Sequence, residues 1–256
     1  MGRTIPRACK TGVSREMKSI FTVARKEIAT YFNSPIAYIV VVFFLAFTST
    51  WFFYIQQFLV QNVASMRTFF GIIPIVFVIL MPAITMRSWA EENKLGTSEV
   101  LLTLPFTEAQ IVVGKFLGAL ALLGIMLALT IPVPLTISPL GDFATGQIIG
   151  QYIGTLLLGA AAISVGLFVS SLSQNQITSF ILGVVVLLAL TLVNRVNFVM
   201  SLPRWLGDLL NQFSLNHHFR SFEKGVVDSR DLIYYLLVAF LFLYLNTKVL
   251  VFRKWR

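Results

Sequence analysis

The residues whose types could do chemistry are few and poorly grouped. His217 and His218 are the two histidines, and adjacent positions fall on different faces of a helix, without a third ligand at metal spacing. Cys9 is the single cysteine, which excludes a disulfide, a CxxC redox pair and a thiolate metal site within one chain. Glu91 and Glu92 form an acidic pair, but no arginine follows in the next turn and no histidine accompanies them at membrane depth, so intramembrane proteolysis lacks its parts. The sequence has neither a Walker-type phosphate loop nor a GxGxxG, so it is not expected to hydrolyse nucleotide. With no constellation of nucleophile, base and metal, the chain reads as a non-enzyme that carries no cofactor of its own. What does stand out is a concentration of acids: Glu91, Glu92, Glu99 and Glu108, four of the 11 Asp and Glu, share one short stretch.

The elements that position these residues are membrane spans. The chain has 256 residues, 57% hydrophobic and 12% charged, with a mean hydropathy of +0.81, far more apolar surface than one soluble core can bury. A crossing takes about 20 apolar residues in a helix, because backbone polar groups in hydrocarbon must be satisfied internally. Six stretches qualify: Ile36 to Phe58, Thr68 to Met86, Ile111 to Leu135, Gln147 to Val169, Ile177 to Val193 and Leu232 to Val251. Pro74 and Pro82 lie in the second, where kinks rather than a break are expected. The first run begins too late and is too long for a cleavable signal peptide, and Pro6 spoils a myristoylation signal.

The net charge of +9 could suggest nucleic acid, but the basic residues lie beside the apolar runs and point to lipid headgroups and topology instead. Arg3, Arg7, Lys10, Arg15, Lys18, Arg25 and Lys26 precede the first span, and Arg253, Lys254 and Arg256 follow the last. Both termini are therefore expected on the cytoplasmic side of the inner membrane. No charge sits near the middle of a span, which argues against an ion-coupled carrier. Lys115 lies within a turn or two of the cytoplasmic end and is expected to snorkel to it.

Three segments outside the spans carry structure of their own. After a basic tail of residues 1–13, residues 14–35 read as an amphipathic interfacial helix with Met17, Ile20, Phe21, Ala24, Ile28, Tyr31 and Phe32 on its apolar side. Ser14 is its expected cap and Asn33-Ser34-Pro35 its stop; it either anchors the first span or docks a cytosolic partner. The cytoplasmic loop 87–110 holds Gly96 as a helix end, Thr97 as the cap of a short helix stopped by Pro105, and Thr107-Glu108-Ala109-Gln110 as a capping box for the third span. The outer loop 194–231 holds two short helices, opened by Pro203 and Ser214, with Gly225 closing the second and Asp228 capping the last span. Residues 252–256 form a basic cytoplasmic tail. Small residues mark helix packing: Gly114 with Gly118 on the third span, and Gly150 with Gly154, then Ala162, Gly166 and Ser170, on the fourth. The aromatic residues of the first span, from Tyr38 to Tyr54, are expected mostly to face lipid.

The run Glu91 to Pro105, then Val113-Gly114-Lys115-Phe116-Leu117-Gly118, closely resembles the signature of ABC-2 type transporter permeases, and is most similar to the gliding-motility-associated branch. Ser170 to Gln176 and His218 to Asp228 extend the resemblance over the chain from about Ser14. It implies an all-α integral membrane protein of the type V exporter-like class, with six spans as one half of a transporter and an elbow helix at its start. Thr97 to Leu104 would be the coupling helix on a separate ATP-binding subunit. Glu91, Glu92, Gly96, Thr97, Glu99, Leu101, Leu102 and Pro105 would form or brace that contact. ATP and Mg would be bound by two such partner subunits, and a second permease, identical or paralogous, would complete the assembly. Asn93 stands where a basic residue is expected. The rival reading is a membrane scaffold whose ATPase partner changes its shape to act on envelope or motility machinery without net flux.

Overall fold

The computed structural model describes residues 7–56, 65–96, 107–137, 144–200 and 204–254, the side chains of 7–18, 196–200, 204, 253 and 254 excepted. All the elements described are helical. Among the described residues, six helices are long and apolar enough to cross a membrane: Pro35–Ile55, Ile73–Leu95, Glu108–Ile137, Thr145–Leu172, Gln176–Arg195 and Ser229–Phe252. They are numbered here as spans one to six. The even number places the start of span one and the end of span six at one face of the bundle, called the terminal face below.

Spans two and four form the centre. In each, 72% of the most apolar stretch is buried within the chain, against 22% in spans five and six, whose apolar surface is left for lipid. Span four packs on span two and span six, span five packs on span two, and the N-terminal helix packs along span three. Small residues set how closely these helices approach. A Cβ added to Gly166 would overlap Thr85 Oγ1 of span two, and one on Gly159 would overlap Leu123 Cδ2 of span three. The Ser170 hydroxyl of span four accepts from the backbone N–H groups of Trp89 and Ala90, both at 3.2 Å, and donates to Met86 O at 3.1 Å.

Several boundaries differ from the sequence reading. The N-terminal helix runs Arg7–Phe32, so Ser14 is a helical residue and not its cap; Ala8 and Lys10, both good helix formers, carry the helix through the expected tail. Its protein-facing stripe is Ile20, Val23, Ala24, Glu27 and Tyr31, whereas Phe21 and Phe32 are exposed. The second apolar stretch is broken and not merely kinked: a short helix Arg67–Gly71 ends before Ile73–Leu95 begins. Pro74 stands in the first turn of the longer helix, where its missing N–H costs nothing, while its ring excludes a continuous helix back through Phe70. Pro82 is accommodated inside it.

Span two continues beyond Met86 to Leu95 and ends at Gly96, whose φ of 69° is the left-handed conformation that glycine adopts without a Cβ penalty. Span three is helical over Glu108–Ala128, turns through Leu129 to Ile131, and resumes as Pro132–Ile137, because Pro132 and Pro134 lack amide donors. Span one closes in a π-helical turn, Trp51–Ile55. The helix of span five extends Gln176–Met200, past the expected start of the loop, and the last extends Ser229–Lys254, taking up three residues of the expected tail. Tyr38, Phe43, Phe47 and Tyr54 of span one are exposed, but Phe44 and Phe52 are buried in the core.

Candidate functional site

At the terminal face, three helices meet on one lysine. The Thr107 hydroxyl accepts from Gln110 N and the Gln110 side chain accepts from Thr107 N, so the expected capping box starts span three and fixes the register that turns Lys115 inward. Lys115 is 1% exposed. Its Nζ donates to Glu27 Oε1, Glu92 Oε1 and Ser88 O, each at 2.8 Å, which uses all three ammonium donors. The ammonium also lies 4.8 Å from the centre of the Trp89 ring. The expected snorkelling therefore does not occur. An amine this buried is held by paired charge and saturated hydrogen bonds, conditions under which burial of an ion is tolerated.

Gly114 immediately precedes that lysine and Gly118 follows it by about one turn, and their partner is the N-terminal helix. A Cβ on Gly114 would sit 2.6 Å from Val23 Cβ, and one on Gly118 would sit 2.6 Å from Glu27 Cβ. The absent side chains let the two backbones approach until the Glu27 carboxylate reaches Lys115. Tyr31, one turn on, donates to Ile84 O at 3.4 Å, and burial, then the neighbouring Glu27 charge, push its phenol well above the ordinary tyrosine range.

The acidic pair divides its work. Glu92 turns inward to Lys115, while Glu91 accepts from Arg87 Nε at 3.1 Å, one helical turn back on the same face. Arg87 Nη1 also donates to Ser34 Oγ at 2.7 Å, at the start of span one. Asn93 Nδ2 donates to Ser173 O at 3.0 Å, so at this position an amide ties span two to the end of span four. Gly96 ends the helix; Thr97, Glu99, Leu101, Leu102 and Pro105 lie outside the described residues. A cavity of about 520 Å³ opens between the N-terminal helix and spans one to three, beside the Lys115 cluster.

The opposite face is closed by the two expected short helices, Arg204–Phe213 and Leu215–Glu223. Ser214 caps the second by accepting from His217 N at 3.3 Å, and Leu215, Phe219 and Phe222 are buried against the bundle, so this helix is part of the core's lid and not a surface strand of loop. A Cβ added to Gly154 would overlap Phe222, and one added to Gly150 would sit 3.0 Å from Gly225 O. Gly225 has φ 78°, and Asp228 Oδ1 accepts from Arg230 N at 3.0 Å to start span six. Arg67 Nε donates to Glu223 Oε1 at 3.0 Å, fastening the short helix before span two to this lid.

The histidines do unlike things. His218 Nδ1 lies 2.7 Å from Asp231 Oδ1 and Nε2 lies 3.1 Å from Gln212 O, with the ring stacked on Tyr234 at 3.9 Å. His217 meets the His218 ring edge-on, with ring centroids 5.5 Å apart, and burial, then the charges of His218 and Arg220, lower its pKa below the ordinary histidine value. Among the described residues no group of three or more His, Cys, Asp and Glu could hold a metal ion.

The Glu27–Lys115–Glu92 cluster escaped the sequence reading. Val23 and Glu27 stand outside the apolar side expected of the N-terminal helix, and that pair, with a lysine beside two glycines on span three, is the signal that the sequence carries.

Comparison with protein families matches residues 21–202 to a family described as ABC-2 family transporter protein. The match runs from the N-terminal helix through span five. Comparison with curated proteins gives no match.

Proposed function

The chain belongs to the ABC-2 transporter family, and from that premise we propose that it is the permease subunit of an exporter driven by a separate ATP-binding subunit. ATP and Mg act on that partner, two copies of which serve a pair of permeases, this chain with itself or with a paralogue. The basic residues at both chain ends orient the terminal face toward the cytoplasm of the inner membrane. In the same reading the chain belongs to the gliding-motility-associated branch, the stretch from Thr97 to Leu104 is the coupling helix, and the short helices at the other face close the exit.

The observation that carries this reading is the joint at Lys115. Span two's extension leads directly into the proposed coupling stretch, and before it does so Glu92 ties it to span three and, through Lys115, to Glu27 of the N-terminal helix. Motion delivered at the loop would reach three helices together, which is how a packed, two-state bundle passes on a displacement. The role of Glu92 is thus to brace the coupling stretch from within, and Glu91, half-exposed beside Arg87, is the acid placed nearer a partner.

The test is to purify the chain with an ATP-binding subunit from the same source and to reconstitute both in vesicles. Glu99→Ala and Leu101→Ala are expected to assemble normally yet lower permease-dependent ATP hydrolysis; hydrolysis and flux equal to wild type overturn the coupling assignment. Partner-dependent hydrolysis with no flux of any candidate cargo would instead favour the scaffold reading.

A further inference from the structure

The 520 Å³ cavity beside Lys115 has the size of a small-molecule site, about 300–1,000 Å³, and its lining is ordered from charge to hydrocarbon. Its floor is aliphatic, formed by Ile36, Ala37 and Val40 of span one, Ala83 and Ile84 of span two, and Leu122 of span three. Its inner wall is made of acceptors. Lys115 has spent its three donors, so it offers none to a ligand, and with Glu27 and Glu92 it forms a cluster bearing one more negative than positive charge. Glu27, which gives one oxygen to Lys115, has further acceptor capacity. Ser88 lines the same wall, is 7% exposed, and its Oγ has no hydrogen-bond partner among the described residues.

The rim has the opposite character. Arg87 is half-exposed there and gives two of its five N–H donors to Glu91 and Ser34, leaving a face able to bind phosphate oxygens. Lys26 is exposed beside it.

A buried acceptor wall, a cationic rim and an aliphatic floor select an amphiphile with a primary ammonium, a phosphate and an acyl chain. We propose that this cavity binds one ethanolamine phospholipid of the surrounding bilayer, with its ammonium donating to Glu27 and Ser88 Oγ, its phosphate on Arg87 and Lys26, and an acyl chain along spans one to three. A choline head has no N–H to donate, and a glycerol head brings no positive charge to the acidic wall. The site stands independently of the transport reading, since it is defined by lipid retention and not by flux.

The experiment uses the full chain in nanodiscs of equal parts ethanolamine, choline and glycerol phospholipids, released into detergent and weighed by native mass spectrometry. The expected result is one retained ethanolamine phospholipid per chain, favoured about tenfold or more over choline, the ratio expected of one charge-assisted hydrogen bond. Ser88→Ala is expected to reduce that preference while leaving the Lys115 cluster in place, since the ammonium of Lys115 bonds the Ser88 carbonyl and not its hydroxyl. Ala83→Phe, which fills the floor, is expected to abolish retention in a protein of unchanged helical content. Equal retention of ethanolamine and choline lipids, preference for the anionic glycerol lipid, or wild-type retention by Ala83→Phe each overturns the proposal.

Discussion

Lys115 and Glu27 are 88 positions apart in sequence, and their side chains meet at 2.8 Å inside the protein. One is on a membrane span and the other on a helix that sequence pattern places flat in the interface. Their contact turns a peripheral helix into an integral wall of the bundle.

Removing the lysine leaves two carboxylates buried against each other. Lys115→Met is expected to destabilise the protein by about 3–5 kcal/mol, the usual cost of breaking a buried charge cluster at one member. Thermal unfolding in detergent checks this. The triple change Lys115→Met, Glu27→Gln, Glu92→Gln is expected to recover most of the loss, because no unpaired charge is then left inside.

Gly114→Ala places a methyl 2.6 Å from Val23 Cβ and is expected to cost about 1–3 kcal/mol, the range for overpacking. Its effect should appear as faster proteolysis at the exposed Arg25 and Lys26 as the N-terminal helix lifts from span three. Val23→Ala in the same chain is expected to restore only part of the protection, since it removes the Cγ1 that lies 2.6 Å away but keeps the Cβ at the same distance.

Ser170→Ala deletes a hydroxyl that accepts from two N–H groups of span two and donates to a carbonyl there. A loss of about 1–3 kcal/mol is expected from the groups left unsatisfied, visible as a lower thermal midpoint. Ser170→Thr keeps the hydroxyl, and a midpoint near wild type would separate the hydrogen bonds from packing.

At the opposite face, the lowered pKa of His217 gives a signed pH dependence. A depressed histidine pKa means that the unfolded chain binds the proton more readily, so this contribution is complete above the unfolded value near 6.5 and is lost as pH falls through the folded value. Thermal midpoints measured from pH 7.5 down to 5 should therefore fall, and His217→Gln should make that fall shallower.

The parts of this fold that were legible in the sequence are those governed by local rules. Six apolar runs of spanning length, Gly96 as a helix end, the Thr107 to Gln110 capping box and the Ser214 cap all follow from neighbours within a turn. Pro74 was readable as a disruption, but whether a proline bends a helix or starts one depends on what the preceding turn packs against. The charged joint was harder for the same reason. Lys115 near a span end looks like a snorkelling residue until Glu27 is brought beside it by Gly114 and Gly118, and no local pattern specifies which helix two glycines will receive.

Protein synthesis proceeds from the N-terminus, so Glu27 and Glu92 are both made before the lysine that neutralises them. Until span three is inserted, the N-terminal helix has neither the glycine groove nor the ammonium that holds it, and its carboxylate is best left in water at the headgroups. Docking of this helix is therefore a late event of biogenesis, and the two acids wait on the third span to become part of the interior.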